Sequence, residues 1–421
     1  IIATPDLVKM VGSSSAAKDK FVKDLPDSKM GLVNYDKNRA ELKYGEQKRE
    51  EIVALKEYVK AVNEDARKEF TGVELISYAS PEGTLEINTK VSNDRSKTID
   101  RFVKNEFKKI DEFKKDDFFK YLVTEEDWDG FKKAVAASNL ADKDLILRVV
   151  NMNTDPVKRE EEIRNMTQTF EELEKLIHPM LRRSEVLVNI MLIGNTDAEI
   201  DSLFNANPEK LTVEEMLYLG NMSENADKKL AVYTKTTQLF PKEWRGFNNL
   251  ACVQYKNGDV KGAKTSIEKA KSIEANGTVF NNLGNVYLAE GNLEDAKTSY
   301  QSATGVPEAS AGQGAIAIKD GEYEKAANFY GDNCCFNAGL AKLLSGNNDG
   351  AIKATDCGAD KDNAHNFYLK AIAGARKGDT DVLFNNLRTA CTKDSSLKEF
   401  AAKDMEFFKY FDNDTFKTII K

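Results

Sequence analysis

Two similar stretches decide the fold of the second half of the chain. Residues 247–266 read FNNLACVQYKNGDVKGAKTS, and residues 280–299 read FNNLGNVYLAEGNLEDAKTS. The first four and the last four residues of the two stretches are identical, at an offset of 33 positions. Self-similarity at this period is typical of solenoids built from pairs of helices. We therefore predict an all-α repeat domain.

Glycine marks the turn within each predicted helix pair. A glycine provides the left-handed backbone that ends the first helix, and a small residue lets the second helix pack closely. The turn glycines that are followed five positions later by alanine are Gly258, Gly291, Gly321 and Gly346. Their unequal spacing predicts that the later repeats are shortened.

These features resemble the tetratricopeptide repeat. Tyr255 and Tyr287 before the turns, and Pro307 after a second helix, stand where that family favours such residues. The resemblance covers residues 203–421 and implies a concave surface that binds a protein partner. Its last segment, residues 404–420, is predicted to be a capping helix. The residues expected to face inward there are Met405, Phe407, Phe408, Tyr410 and Phe411.

The first half of the chain is organised around Thr71–Phe102. An apolar run leads into the turn sequence Ser80–Gly83, and an amphipathic segment follows. Strand, tight loop and helix in this order can hold a small anion or zwitterion at the helix opening. With a helix at residues 46–65 and a return strand at residues 182–190, the pattern predicts a mixed α/β sheet. Residues 111–176 are predicted to be a helical insertion.

This strand, loop and helix resemble the OmpA-like peptidoglycan-binding domain. Residues 77–83 stand for the family pattern G-H-T-D-x-x-G, residues 87–92 for Y-N-x-x-L-S, and Arg95-Ser96 for R-A. The final strand of that family, N-R-R-V-E-I, is similar to residues 182–186. The resemblance implies an OmpA-like α/β domain over residues 29–195, followed by the all-α solenoid.

The resemblance implies a peptidoglycan site. The family holds the diaminopimelate of a stem peptide with an aspartate on the ammonium and an arginine on the carboxylate. Arg95 is retained here, whereas Ser80 replaces the aspartate; Glu82 is a candidate for the missing carboxylate, and Asn88 completes the predicted site. In the alternative, Arg95 pairs with a local acid such as Glu82 or Asp94 and only holds the loop.

Composition argues against several other functions. The 421 residues carry a net charge of -8, whereas a general nucleic-acid binder has a basic excess. The sequence contains no phosphate-binding, zinc-protease or nucleophile-elbow motif, and His178 and His365 fall in different predicted domains. We predict a protein without catalytic activity, cofactor or metal.

The five cysteines all lie in the second half, without a C-x-x-C pair. Buried small side chains are one interpretation of them, and a disulfide among them is the other.

Residues 1–28 are predicted to be a linker or the remnant of an upstream domain, with a short helix near residues 17–25. Because the sequence starts at Ile1 without a signal segment, we expect a processed form or a fragment.

The two resemblances together predict a non-catalytic scaffold or tether of the cell envelope. Its OmpA-like domain would contact peptidoglycan, and its repeats would bind a protein partner, with outer-membrane assembly or secretion machinery as one use. A removed lipidated N-terminus would be its only membrane attachment and would place it in the periplasm, at the outer membrane. The alternative is a repeat adaptor whose OmpA-like domain has lost peptidoglycan binding.

Overall fold

The computed structural model describes residues 4–153 and 155–421, without the side chains of residues 167–169. The chain forms two compact units. Residues 22–196 form an α/β unit, and residues 197–421 form a helical unit to which residues 4–21 also belong.

The α/β unit contains a four-stranded mixed sheet in the order β1-β4-β2-β3. Strand β4 runs antiparallel to both of its neighbours, and β3 is parallel to β2. Alternate residues of the central strands are buried, as the period of two in a strand requires. The strands are β1 (Asp24–Asn34), β2 (Lys68–Tyr78), β3 (Phe119–Thr124) and β4 (Arg183–Ile193).

Two amphipathic helices cover this sheet. Helix α1 (Glu50–Asn63) and helix α2 (Leu85–Glu106) bury apolar residues against the central strands. Thr84 caps α2, because its side chain accepts a hydrogen bond from the Ile87 amide. The loop that we singled out therefore lies between β2 and α2, as predicted.

The insertion differs from the prediction. We expected residues 111–176 to be helical, but strand β3 lies within them and forms the sheet edge beside β2. Phe113, before the strand, is fully buried in the sheet core together with Phe119. A second core forms between the helices that follow, which are α3 (Trp128–Ala137), α4 (Lys143–Met152), α5 (Pro156–Asn165), α6 (Thr167–Leu176) and α7 (His178–Leu181).

The helical unit consists of successive antiparallel pairs. Its helices are α8 (Asp197–Ala206), α9 (Val213–Met222), α10 (Ala226–Leu239), α11 (Trp244–Lys256), α12 (Val260–Ile273), α13 (Gly277–Ala289), α14 (Leu293–Ser302), α15 (Ala309–Lys319), α16 (Tyr323–Tyr330), α17 (Phe336–Leu344), α18 (Asn348–Asp356), α19 (Ala364–Lys377), α20 (Thr380–Lys393), α21 (Ser396–Lys403) and α22 (Asp414–Ile420). Each of α11, α13, α15 and α17 also contacts the first helix of the next pair. The first helices therefore line one continuous face.

The predicted turn glycines are confirmed. All four adopt a left-handed backbone, and the φ angle of Gly291 is 77°. After three of them an Asp or Asn caps the second helix, as Asp259 does by accepting the amide proton of Gly262. The alanines that follow each turn are fully buried, as close packing of the pair requires.

The C-terminal cap also differs in detail. Residues 404–420 are divided into a 3₁₀ helix, Met405–Tyr410, and helix α22. Phe407 and Phe416 are buried in the core of the last repeats, whereas Met405 is 40% exposed and Phe408 is 63% exposed. The prediction that Met405 and Phe408 face inward was wrong, because a 3₁₀ segment does not keep the 3.6-residue period on which it was based.

Candidate functional site

Arg95 lies in the interior of the α/β unit and is only 1% exposed. Its Nε donates to the carbonyl oxygen of Arg39 at 2.9 Å, Nη1 to that of Tyr78 at 2.7 Å, and Nη2 to that of Asp36 at 3.2 Å. Burial lowers the pKa of Arg95 to about 10. The side chain therefore joins the end of β2 to the loop after β1.

Glu82 is also internally paired. Arg182 donates from Nε and Nη2 to its two carboxylate oxygens, at 2.6 and 2.8 Å, and the Ser80 hydroxyl donates to Oε1 at 2.7 Å. The Glu82 residue is 5% exposed. Burial alone would raise the pKa of Glu82, but the hydrogen bonds from Arg182 and Ser80 outweigh it and the pKa is lowered.

Asn88 completes the loop from the first turns of α2. Its Nδ2 donates to the Gly83 carbonyl oxygen at 2.9 Å and to Glu126 Oε1 at 3.3 Å. The structure thus brings Ser80, Glu82 and Asn88 to one loop, and gives Arg95 three backbone carbonyls rather than either acid that we considered. Each of the four predicted side chains has a partner within the unit.

A second site lies in the helical unit. Residues 4–21, which we call the N-terminal segment, follow the face formed by the first helices of the pairs. Thr4–Leu7 form a short 3₁₀ helix, and residues 8–21 belong to no helix or strand. This differs from the linker and the short helix near residues 17–25 that we expected, because the main-chain groups bond to asparagine side chains instead of to each other.

Three asparagines each hold one residue of the N-terminal segment by its backbone. Asn249 accepts from the Ala17 amide at 2.7 Å and donates to the Ala17 carbonyl at 2.9 Å. Asn282 forms the same pair with Ser15, at 2.9 and 2.7 Å. A side-chain amide offers one acceptor and a donor group side by side, so it pairs with a peptide backbone as a neighbouring strand would.

The third pair and two single bonds extend this row. Asn337 accepts from the Lys9 amide at 3.0 Å and donates to the Lys9 carbonyl at 2.7 Å. Between these positions, Asn281 and Asn285 both donate to the Ser13 carbonyl, at 2.9 and 3.0 Å. The segment therefore runs antiparallel to the order of the repeats. We call the surface lined by Asn249, Asn281, Asn282, Asn285 and Asn337 the asparagine groove.

The repeat geometry places these side chains in register. Asn249, Asn282 and Asn337 each stand nine positions before a turn glycine, so they occupy the same place on the first helices α11, α13 and α17. All three are buried beneath the segment. Leaving a buried side-chain amide without a hydrogen-bond partner costs about 1–3 kcal/mol. Binding of an extended segment therefore stabilises the groove.

Side chains hold the two ends of the segment. At one end, the Phe21 ring packs on Tyr218 with centroids 4.6 Å apart. Towards the other end, the Lys9 ammonium lies 4.7 Å from the centre of the Phe336 ring, and the Thr4 hydroxyl donates to Glu406 at 2.7 Å. The segment therefore contacts repeats from the beginning of the unit to its end.

Sequence reasoning missed the asparagine groove. We used the repeated FNNL tetrapeptide as evidence of a period and assigned no role to its two asparagines. One signal was available in the sequence: asparagine recurs at the same position of helices that are otherwise rich in apolar residues. A polar side chain at a buried position requires a hydrogen-bond partner, so the repetition indicated that a partner exists. Its partner could not be identified, since Ser15 lies 267 positions from Asn282.

Comparison with known proteins identifies the repeat. A family model of the tetratricopeptide repeat matches residues 278–310, which contain α14 and all but the first residue of α13. The match covers only this part of the chain, so the resemblance of the α/β unit to OmpA-like domains stays a prediction. No curated protein matches the chain.

Several solved structures are similar to the chain. One, a crystal structure of the APC/C hetero-tetramer Cut9-Hcn1, is 16% identical with a TM-score of 0.42; the alignment covers 53% of this chain and 45% of that chain. A tetratricopeptide repeat protein from Parabacteroides merdae is 12% identical with a TM-score of 0.36, and 62% and 98% are covered. YrrB, described as a tetratricopeptide repeat protein with an unusual peptide-binding site, is 19% identical with a TM-score of 0.26, and 49% and 100% are covered. We draw no functional argument from similarities at this level.

Two further properties concern the described residues as a whole. Among residues 4–153 and 155–421, no group of three or more His, Cys, Asp or Glu side chains is arranged to hold a metal ion. Within the same residues, no helix has both the length and the apolar character needed to cross a membrane.

Proposed function

We propose that the chain is a non-catalytic scaffold that binds a partner protein by pairing with the main chain of an extended segment in the asparagine groove. The observation that carries this proposal is that Asn249, Asn282 and Asn337 each hold both backbone groups of one residue. Such contacts recognise an extended conformation and depend little on side-chain identity.

The repeat family supports this function. Asn281, Asn282 and Asn285 all lie within the matched tetratricopeptide repeat at residues 278–310. Stacked helical repeats form extended surfaces that suit long, flexible ligands better than small compact ones.

A peptide library displayed on phage tests the proposal. We expect selection on the full Gly12→Val chain, whose own segment no longer fits the groove, to give peptides whose affinity falls at least about tenfold when Asn249→Ala/Asn282→Ala is added, because two backbone pairs are lost. Asn328→Ala is the matched control, since Asn328 is exposed on α16, a second helix. Peptides that bind the double variant as tightly as the parent would contradict the proposal.

We also propose that the chain works outside the cytoplasm, as the predicted periplasmic location requires. The support is the disulfide between Cys334 and Cys357 in the helical unit, since stable disulfides form mainly in oxidising compartments. Alkylation of the chain in its native cells, before lysis, measures this directly. Full labelling of both thiols would contradict it.

The wall-binding role implied by the OmpA resemblance is not part of this proposal. Its residues Arg95, Ser80, Glu82 and Asn88 are at most 5% exposed and bonded within the unit. Binding of a stem peptide would require Arg95 to leave three backbone carbonyls. Co-sedimentation with purified peptidoglycan, parent against Arg95→Lys, is the measurement that decides this role.

A further inference from the structure

The middle of the N-terminal segment presents its side chains to solvent. Ser13, Ser14 and Ala16 are exposed, although the backbone around them is bonded to the asparagine groove. The groove therefore places no restriction on side chains at these positions. Another polypeptide with different residues there would make the same hydrogen bonds.

Two positions are different, because they require a small residue. A Cβ atom on Gly12 would lie 1.8 Å from Asn285 Oδ1 and 2.6 Å from the Tyr300 hydroxyl. Neither atom is free to move, since the buried Tyr300 hydroxyl donates to that same Asn285 oxygen at 2.7 Å. Ala17, five positions later, is buried and held by Asn249 on both backbone groups.

Most of the segment can leave the groove without loss of a helix or strand. Residues 8–21 belong to neither, only Thr4–Leu7 form a short 3₁₀ helix, and β1 begins at Asp24. Because the segment is covalently attached, it competes for the groove at an effective concentration in the millimolar range, as expected for a short flexible connection.

We propose that the asparagine groove selects partner segments with a glycine followed five positions later by a small residue, and that residues 4–21 are the chain's own exchangeable copy of this ligand. This inference rests on the proposed function. It adds two points: which positions of a partner segment must be small, and that residues 4–21 compete with the partner for the groove. A partner segment displaces the N-terminal segment by taking over the same asparagines.

A labelled peptide of residues 4–21 tests the inference by fluorescence anisotropy with the full chain. We expect the Gly12→Val chain to bind this peptide at least about tenfold more tightly than the parent, because its own segment no longer fits and the millimolar competitor is removed. An Ala17→Leu chain, which displaces the segment at a different position, should show the same gain. Ser14→Val is the matched control and should bind like the parent, since Ser14 is exposed.

The peptide itself provides the second half of the test. A Gly12→Val peptide should fail to bind the Gly12→Val chain, whereas a Ser14→Val peptide should bind it normally. Equal binding of both peptides, lost with Asn249→Ala/Asn282→Ala, would overturn the register while leaving the proposed function intact. Absence of any asparagine-dependent binding, in chains whose circular dichroism equals that of the parent, would overturn both.

Discussion

His178 is buried between two aromatic rings in the second core of the α/β unit. Its ring centre lies 5.8 Å from that of Phe131 and 6.2 Å from that of Phe170, and neither ring nitrogen has a hydrogen-bond partner among the described residues. Burial lowers the pKa of His178 from 6.5 to about 4. The folded state therefore holds this side chain in its neutral form.

This burial predicts a loss of stability in acid. Between pH 6.5 and pH 4 the unfolded chain binds a proton that the folded chain does not, so the free energy of unfolding falls as pH falls, by about 3 kcal/mol in total. In His178→Leu this part of the pH dependence should disappear, as measured by urea unfolding at pH 7 and pH 4.5. Phe170→Leu is the control and should keep the parental slope, because it changes the packing of the same core without removing a titratable group. An unchanged slope in His178→Leu would contradict the assignment.

The Glu82–Arg182 pair holds the loop that we first interpreted as a ligand site. Glu82→Gln should lower the free energy of unfolding by about 3–5 kcal/mol, because the Arg182 guanidinium stays buried without a countercharge. Removing both charges, in Glu82→Gln/Arg182→Met, should cost less than removing one. Urea unfolding of the four proteins of this cycle gives the coupling energy. Additive costs would show that the pair contributes no coupling.

At the scale of elements, the turns were predictable because their cause is local. The turn requires a positive φ, which is 77° at Gly291, and glycine adopts it without help from distant residues. The residue that caps the next helix, Asn292, directly follows it in sequence. The edge strand β3 was not predictable in this way. Phe113, Phe118 and Phe119 lie within the predicted helical insertion, but they meet around the sheet core through contacts that sequence spacing does not show.

The left-handed turn gives a prediction for the repeat element. In Gly291→Ala the added Cβ meets no atom within 4 Å, so only backbone strain opposes it, at about 1–2 kcal/mol. Gly45→Ala is the matched control, because its Cβ is equally free and its φ is -62°. It should be neutral or slightly stabilising. Equal unfolding midpoints for the two variants, followed by circular dichroism, would contradict the role given to Gly291.

At the scale of the whole molecule, the asparagine groove depends on contacts between distant parts of the chain. Asn249 and Ala17 are 232 positions apart, and Asn337 and Lys9 are 328 positions apart. No periodicity or motif relates such positions, so the repeats were predictable and their occupant was not. The pattern at residues 77–96 located the loop and the helix, but it did not indicate whether the Arg95 side chain faces a ligand or the protein interior.

A disulfide closes one loop of the helical unit covalently. The Cys334–Cys357 disulfide joins the loop before α17 to the end of α18, with a sequence separation of 23. Closing a loop of this length stabilises the folded state by about 3 kcal/mol, mainly by restricting the unfolded chain. Each unit has one tryptophan, so Trp244 fluorescence in a Trp128→Phe variant reports on the helical unit. We expect dithiothreitol to lower the urea midpoint of that signal in the parent. It should leave the midpoint unchanged in Cys334→Ser/Cys357→Ser, and an equal shift in both proteins would mean that the disulfide does not stabilise the unit.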